Sequence, residues 1–254
     1  MSPDRRRQRP ARGKSLIPDR PLRNPARVIH VVAEGQVTEP DYCTALNKYF
    51  KNQHEFQINT PYSGTKGLHP LEVAESAISA AIEGDREGDG PPHEVWALFD
   101  RDQHPDVHKA FSRLREHNAA AAQNDHREVG IAFSHPSFDL WLLLHFQALT
   151  TPQDGSSGQV HEKLRGYPAF ERFAAKTSGS KSITAARAAE LMQRTETAVR
   201  NARALIKQCP GNGCTPGAGH AADCDPLRRD PSTDVWHLIQ SLRIVNCLRY
   251  RISL

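Results

Sequence analysis

Between residues 28 and 134, short β-rich apolar runs alternate with stretches of helical periodicity, and no other feature limits the fold as strongly. The runs are 28–33, 56–60, 95–100 and 128–134, each bounded by turn signals, so each reads as a strand. Between them, Tyr42, Ala45, Leu46, Tyr49 and Phe50 recur on one face of a helix from Thr38, its expected N-cap, to about Phe50. Further helices are expected at about 70–84, after the loop Ser63-Gly64-Thr65-Lys66-Gly67, and at about 105–123, with an acidic Gly/Pro-rich turn at 84–92. Such alternation predicts an α/β fold, a compact parallel sheet flanked by helices. After His135-Pro136, the run Ser137-Phe138-Asp139-Leu140-Trp141-Leu142-Leu143-Leu144-His145-Phe146 is apolar nearly all round, as in a buried helix.

Beyond Gln147 the alternation stops. A Gly/Ser-rich loop (154–158) opens a mainly helical region, with helices expected within 159–178, at 182–208 and at 232–250. A Cys/Gly/Pro-rich segment, 209–231, interrupts it. The expected organisation is a basic tail (1–27), an α/β domain (28–150) and a helical C-terminal region (151–254) with a Cys-rich insert at 209–224. The tail carries nine basic side chains against two acidic ones and five prolines, so it should be disordered. Its net +7 leaves −3 for the rest of a chain whose total is +4. Arg5, Arg6, Arg7, Arg9 and Arg12 suit contact with nucleic acid phosphates; a merely solubilising tail is the other reading. No apolar stretch approaches the ~18 residues a membrane span needs, and no signal-peptide core follows the N-terminus, so a cytoplasmic protein is expected. Five cysteines, an odd number, argue against a disulfide framework.

Two acidic clusters stand where strands end. Glu34 follows Val31-Val32-Ala33, and Asp100 and Asp102 close Val95-Trp96-Ala97-Leu98-Phe99. In open α/β sheets ligands bind outside the carboxyl ends of the strands. Carboxylates delivered to one rim make a hard-oxygen site of the kind Mg²⁺ or Mn²⁺ takes. Turn and N-cap chemistry is the competing account of Asp100 and Asp102. Asp139, at a helix start, is a fourth candidate, although capping explains it equally. Glu39 is weaker, since acids are favoured in a first helical turn. Arg101 and Lys66 are candidate phosphate contacts. His104 and His135 lie near the rim by sequence, whereas Ser134 reads as a cap and His145 as a buried polar group needing a partner.

The ordered set Glu34-Gly35 with Thr38-Glu39, Phe99-Asp100-Arg101-Asp102, the block 134–146, and Asp230-Pro231-Ser232-Thr233 resembles the RloB-like proteins over about residues 28–250. That resemblance implies a Toprim-type fold and a Mg²⁺- or Mn²⁺-dependent nuclease active in bacterial phage defence, often beside an ATPase partner. It makes Glu34, Asp100, Asp102 and Asp139 the catalytic set, with Glu34 either a metal ligand or a general acid/base. The chain departs from the pattern at His135, where the family usually has Asn, at Asp139, where it has Glu, and in the Cys-rich segment. The substrate is left open between DNA and RNA, including tRNA. No Gly-x4-Gly-Lys-Ser/Thr loop is present, so ATP dependence would have to come from a partner. Two other functions compete: a non-catalytic nucleic-acid-binding or regulatory subunit, and a small-molecule phosphoryl enzyme on the same scaffold.

Cys209, Cys214, His220 and Cys224 have the spacing C-x4-C-x5-H-x3-C. Three thiolates and an imidazole could satisfy a structural Zn²⁺; a flexible loop with free thiols is the alternative. Cys43 and Cys247 fall on expected helix faces.

Overall fold

The computed structural model describes residues 27–61, 67–83, 94–102, 104–153 and 156–245. Lys66, Cys247, the basic residues at positions 5, 6, 7, 9 and 12 and the 84–92 turn lie outside them. Strand β1 (Arg27–Ala33) leads to helix α1 (Thr38–His54), β2 (Phe56–Asn59), α2 (Pro70–Glu83), β3 (Glu94–Asp100), α3 (Val107–Ala121) and β4 (Val129–His135). The remainder comprises α4 (Asp139–Leu144), α5 (Ser157–Arg165), α6 (Ala185–Met192), α7 (Thr195–Leu205), β5 (Ser232–Thr233) and α8 (Val235–Ser241). The sheet runs β2-β1-β3-β4-β5. The first four strands are parallel, and β5 pairs antiparallel with the end of β4 through Ser134–Thr233 and His135–Ser232. The protein is thus α/β with a mostly parallel sheet.

The period of two in each strand sorts its side chains between two layers. Ile29, Val31, Ala33, Leu98 and Ala132 face a core shared with α1 and α4–α8. Val32, Val95, Ala97, Phe99, Val129 and Phe133 face a second core built with α2 and α3. All six residues of α4 are buried, so it is a core helix wrapped by the C-terminal helices. Among the described residues, no helix is long and apolar enough to cross a membrane.

Two asparagines pin strands to helices. The Asn47 amide on α1 donates to Ile58 C=O (2.7 Å) and accepts from Ile58 N–H (2.8 Å) on β2. Asn118 on α3 repeats this with Val129 of β4, at 2.9 and 2.8 Å.

Several expectations are corrected. Thr38 is the first helical residue rather than the N-cap, and its hydroxyl donates to Lys181 C=O (3.2 Å). The stretch 182–208 is two helices broken at Gln193-Arg194, where the Thr195 hydroxyl donates back to Leu191 and Met192 carbonyls. Only α5 and a single 3-10 turn (Pro168–Phe170) occupy 159–178, because the Ser/Gly-rich 177–182 favours turns. The helix placed at 232–250 is α8, and Ser232-Thr233 joins the sheet instead. Ser134 is a strand residue whose hydroxyl meets that of Thr233 (2.9 Å), not a cap.

Candidate active site

The strand order decides where a cleft can form. The chain leaves β1 toward β2 on one side, then returns to place β3 on the other, so connections diverge between the carboxyl ends of β1 and β3. This is a topological switch point, where open sheets leave a crevice. Glu34 and Asp100 stand at those two strand ends. A cleft of about 410 Å³ opens there, and its walls include Glu34, Glu39, Asp100, Asp102, Asp139 and Lys181.

Backbone hydrogen bonds set the carboxylates in place. Glu34 N–H continues the ladder to Leu98 C=O (3.0 Å), and the Glu34 carboxylate accepts from Asp100 N–H (2.8 Å). Its other oxygen lies 3.0 Å from His104 Nε2. Asp102 N–H donates to Pro136 C=O (2.9 Å), and Asp102 takes a positive φ of 29° that turns the chain at the rim. Gly35 leaves room for Glu39: a Cβ there would fall 2.1 Å from the Glu39 carboxylate. Neither Asp100 nor Asp102 caps α3, whose N-cap is Asp106. Asp139 makes no capping bond either. Buried at 2% exposure, it meets His161 Nε2 (2.6 Å) and Lys181 Nζ (3.1 Å).

Lys181 comes from far along the chain and is latched to α1. Asp41 accepts from Ile183 N–H (2.9 Å), as Thr38 does its part at Lys181 C=O. From the other side, the buried Arg187 guanidinium donates to the carbonyls of Ser180 (2.7 Å), Ser182 (2.6 Å) and Ala169 (3.0 Å).

So many acids in one partly dry cleft oppose one another's ionisation. Burial, with the charges of Glu39 and Asp102 adding to it, raises Glu34 to about 8 despite the Asp100 N–H. Burial likewise raises Glu39 to about 7, helped by Asp139. Asp100 is pushed well up by burial and then by Glu34 and Glu39, and Asp102 is raised by burial against the pull of Lys181. Asp139 is the exception. Burial opposes its charge, but the His161 hydrogen bond and the Lys181 charge outweigh it and hold it below the ordinary range. Asp100 Oδ1 is buried with no hydrogen-bond partner.

The cleft thus gathers the four sequence candidates Glu34, Asp100, Asp102 and Asp139, and adds Glu39 as a full member. Arg101 is not among its wall residues, and its guanidinium donates to Asp102 C=O (2.8 Å) in its own loop. His104 joins through Glu34. His135 does not, because its Nδ1 faces Pro226 C=O (3.4 Å). His145 has its partners in the core, the Tyr42 hydroxyl (3.2 Å) and Trp141 C=O (2.9 Å). His161 and Lys181 are invisible to motif reading, since both enter from the helical region; a Lys within Ser-Gly-Ser-Lys-Ser was the only local signal. Cys209, Cys214, His220 and Cys224 form a separate cluster that shares no residue with the cleft wall.

No curated protein and no solved structure matches the chain. The family profile described as RloB-like protein matches residues 29–242, from within β1 to just past α8. That span holds every wall residue of the acidic cleft and all of the buried core except Val245, and the chain belongs to the RloB-like protein family.

Proposed function

We propose that this protein is a Toprim-type nuclease that uses Mg²⁺ or Mn²⁺ to cleave phosphodiesters of DNA or RNA, tRNA included. One observation carries the reading: five carboxylates share a switch-point cleft in which Asp100 Oδ1 is buried and unpartnered. The donor set fits a hard divalent cation, because Glu34, Asp100 and Asp102 offer carboxylate oxygens whose raised proton affinity marks negative charge that a cation would offset. Glu34 and Asp102, which with His104 bring ligand atoms within 4.8 Å of one another, would hold it together with Asp100. When bound, such a cation neutralises phosphate charge and activates water for attack on phosphorus.

The chain's own groups fill the other roles. Lys181 brings positive charge to the cleft wall and suits a non-bridging phosphate oxygen. Its bond to Asp139 keeps that ammonium charged, and His161 keeps Asp139 an anion. His104 Nε2, 3.0 Å from the Glu34 carboxylate, offers a proton relay between the cleft and solvent. The family resemblance supports a place in phage defence and an ATPase partner.

The test is cleavage of mixed DNA and total tRNA by purified protein with Mg²⁺ or Mn²⁺, beside Asp100→Asn. EDTA-sensitive cleavage lost in the variant supports the reading. Equal cleavage by both proteins refutes it. Silence from both, together with no Mg²⁺ binding by calorimetry, points instead to a non-catalytic subunit.

A further inference from the structure

We infer that Cys209, Cys214, His220 and Cys224 form a structural zinc site that fixes the C-terminal strand and helix to the rest of the fold. It is independent of the acidic cleft. Cys209 Sγ lies 3.6 Å from Cys214 Sγ and 3.4 Å from Cys224 Sγ, and Cys224 Sγ lies 3.9 Å from His220 Nδ1. All four ligand atoms fall within 4.8 Å of one another. A tetrahedron around zinc with Zn–S near 2.3 Å has edges of roughly 3.8 Å. The sulfur separations are far beyond a disulfide bond of about 2.05 Å, and the three cysteines are free. Three thiolates and one imidazole are a soft donor set that selects zinc over the hard cations suited to the cleft.

The surroundings are those of a built site. Gly211 N–H points to Cys209 Sγ (3.5 Å), Ala221 N–H to Cys214 Sγ (3.3 Å) and Arg229 Nε to Cys224 Sγ (3.4 Å). Each cysteine sulfur therefore has an N–H donor, the outer-shell support that metal thiolates receive. Glycine is required where the loop wraps: a Cβ on Gly211 would sit 2.7 Å from Cys224 Sγ, and Gly219 has φ +94°. A backbone bridge between Thr215 and Gly219 tightens the turn joining the second and third ligands.

The architectural role follows from Arg229. This buried guanidinium also donates to Cys224 C=O (2.8 Å) and Asp234 (3.3 Å) and lies over the Phe111 ring of α3 (5.7 Å to the centroid). Zinc at the cysteines would thus hold one end of a strut running from the loop to the β5–α8 junction and across to α3.

The experiment is elemental analysis of the full-length protein purified without chelator, followed by exchange into cobalt. We expect about one zinc per chain, a tetrahedral cobalt–thiolate spectrum, and retention of zinc by Asp100→Asn but not by Cys214→Ser. Chelator should also lower the melting temperature of the wild type. Zinc below about half an equivalent with no tetrahedral cobalt spectrum, iron in its place, or a Cys209–Cys224 disulfide by mass spectrometry would each overturn the assignment. The cobalt spectrum is read on wild type, so a variant that fails to fold does not shield the proposal.

Discussion

Replacing Glu34 with Gln should flatten the pH dependence of stability in metal-free protein. Unfolded, Glu34 loses its proton near its ordinary 4.5; folded, it holds it to about 8. A raised carboxyl pKa contributes stability that is present below the unfolded value and lost as pH climbs toward the folded one. Across that window the folded state holds up to one extra proton, equivalent to ~1.4 kcal/mol per pH unit. Between pH 5 and 7 the wild type should therefore lose on the order of 2 kcal/mol that the Gln variant keeps. In a chain of this size that is a gap of roughly 4–8 °C in melting temperature. The readout must be the difference between the two proteins. Buried His145 and His237, both lowered from 6.5 to about 4, act oppositely: they add stability as pH rises from about 4 to 6.5 and nothing further above it. Thermal melts in EDTA from pH 5 to 8.5 would give the difference curve. A curve flat to within about 0.5 kcal/mol would show that Glu34 does not hold its proton and that the account of the cleft is wrong.

Mg²⁺ binding should release protons at pH 7 and tighten as pH rises toward 8, because Glu34 must ionise to receive it; titration calorimetry in buffers of different ionisation enthalpy checks this, and an unchanged heat across buffers contradicts it. Arg187→Lys keeps the charge but cannot reach the carbonyls of Ser180, Ser182 and Ala169 together, so it should cost about 2 kcal/mol by denaturant melts and lower any cleavage by releasing Lys181. Asn47→Ala leaves Ile58 N–H and C=O without their partner and should cost roughly 1–3 kcal/mol, with hydrogen exchange accelerated at Ile58.

The sheet and the acidic rim were legible because their signals are local. Each strand is an apolar run closed by a turn residue, and Glu34 and Asp100 sit where the chain must leave the sheet. Glu39 was undervalued because acids are common in a first helical turn; only Gly35, lying beneath its carboxylate, shows that it faces the cleft. His161 and Lys181 could not be found from sequence, since their place beside Asp139 depends on how α5 and the 177–182 turns fold over α4. Ser232-Thr233 lacks any apolar signature and becomes a strand only because β4 offers it an edge. The break at Gln193-Arg194 was hidden for the opposite reason, a helical pattern that runs straight through it.

Asn47 and Asn118 bear on how this protein can meet others. A strand with free N–H and C=O groups is a template on which a second chain can build, as a bound peptide or as the start of an aggregate. Here β2 is a margin of the sheet, and the start of β4 lies beyond the reach of the two-residue β5. At each place a side-chain amide imitates the backbone of the missing neighbour and occupies both groups of one residue. Sheet extension at Ile58 or Val129 is thereby closed to other chains. A partner adding a strand at either place would first have to displace Asn47 or Asn118.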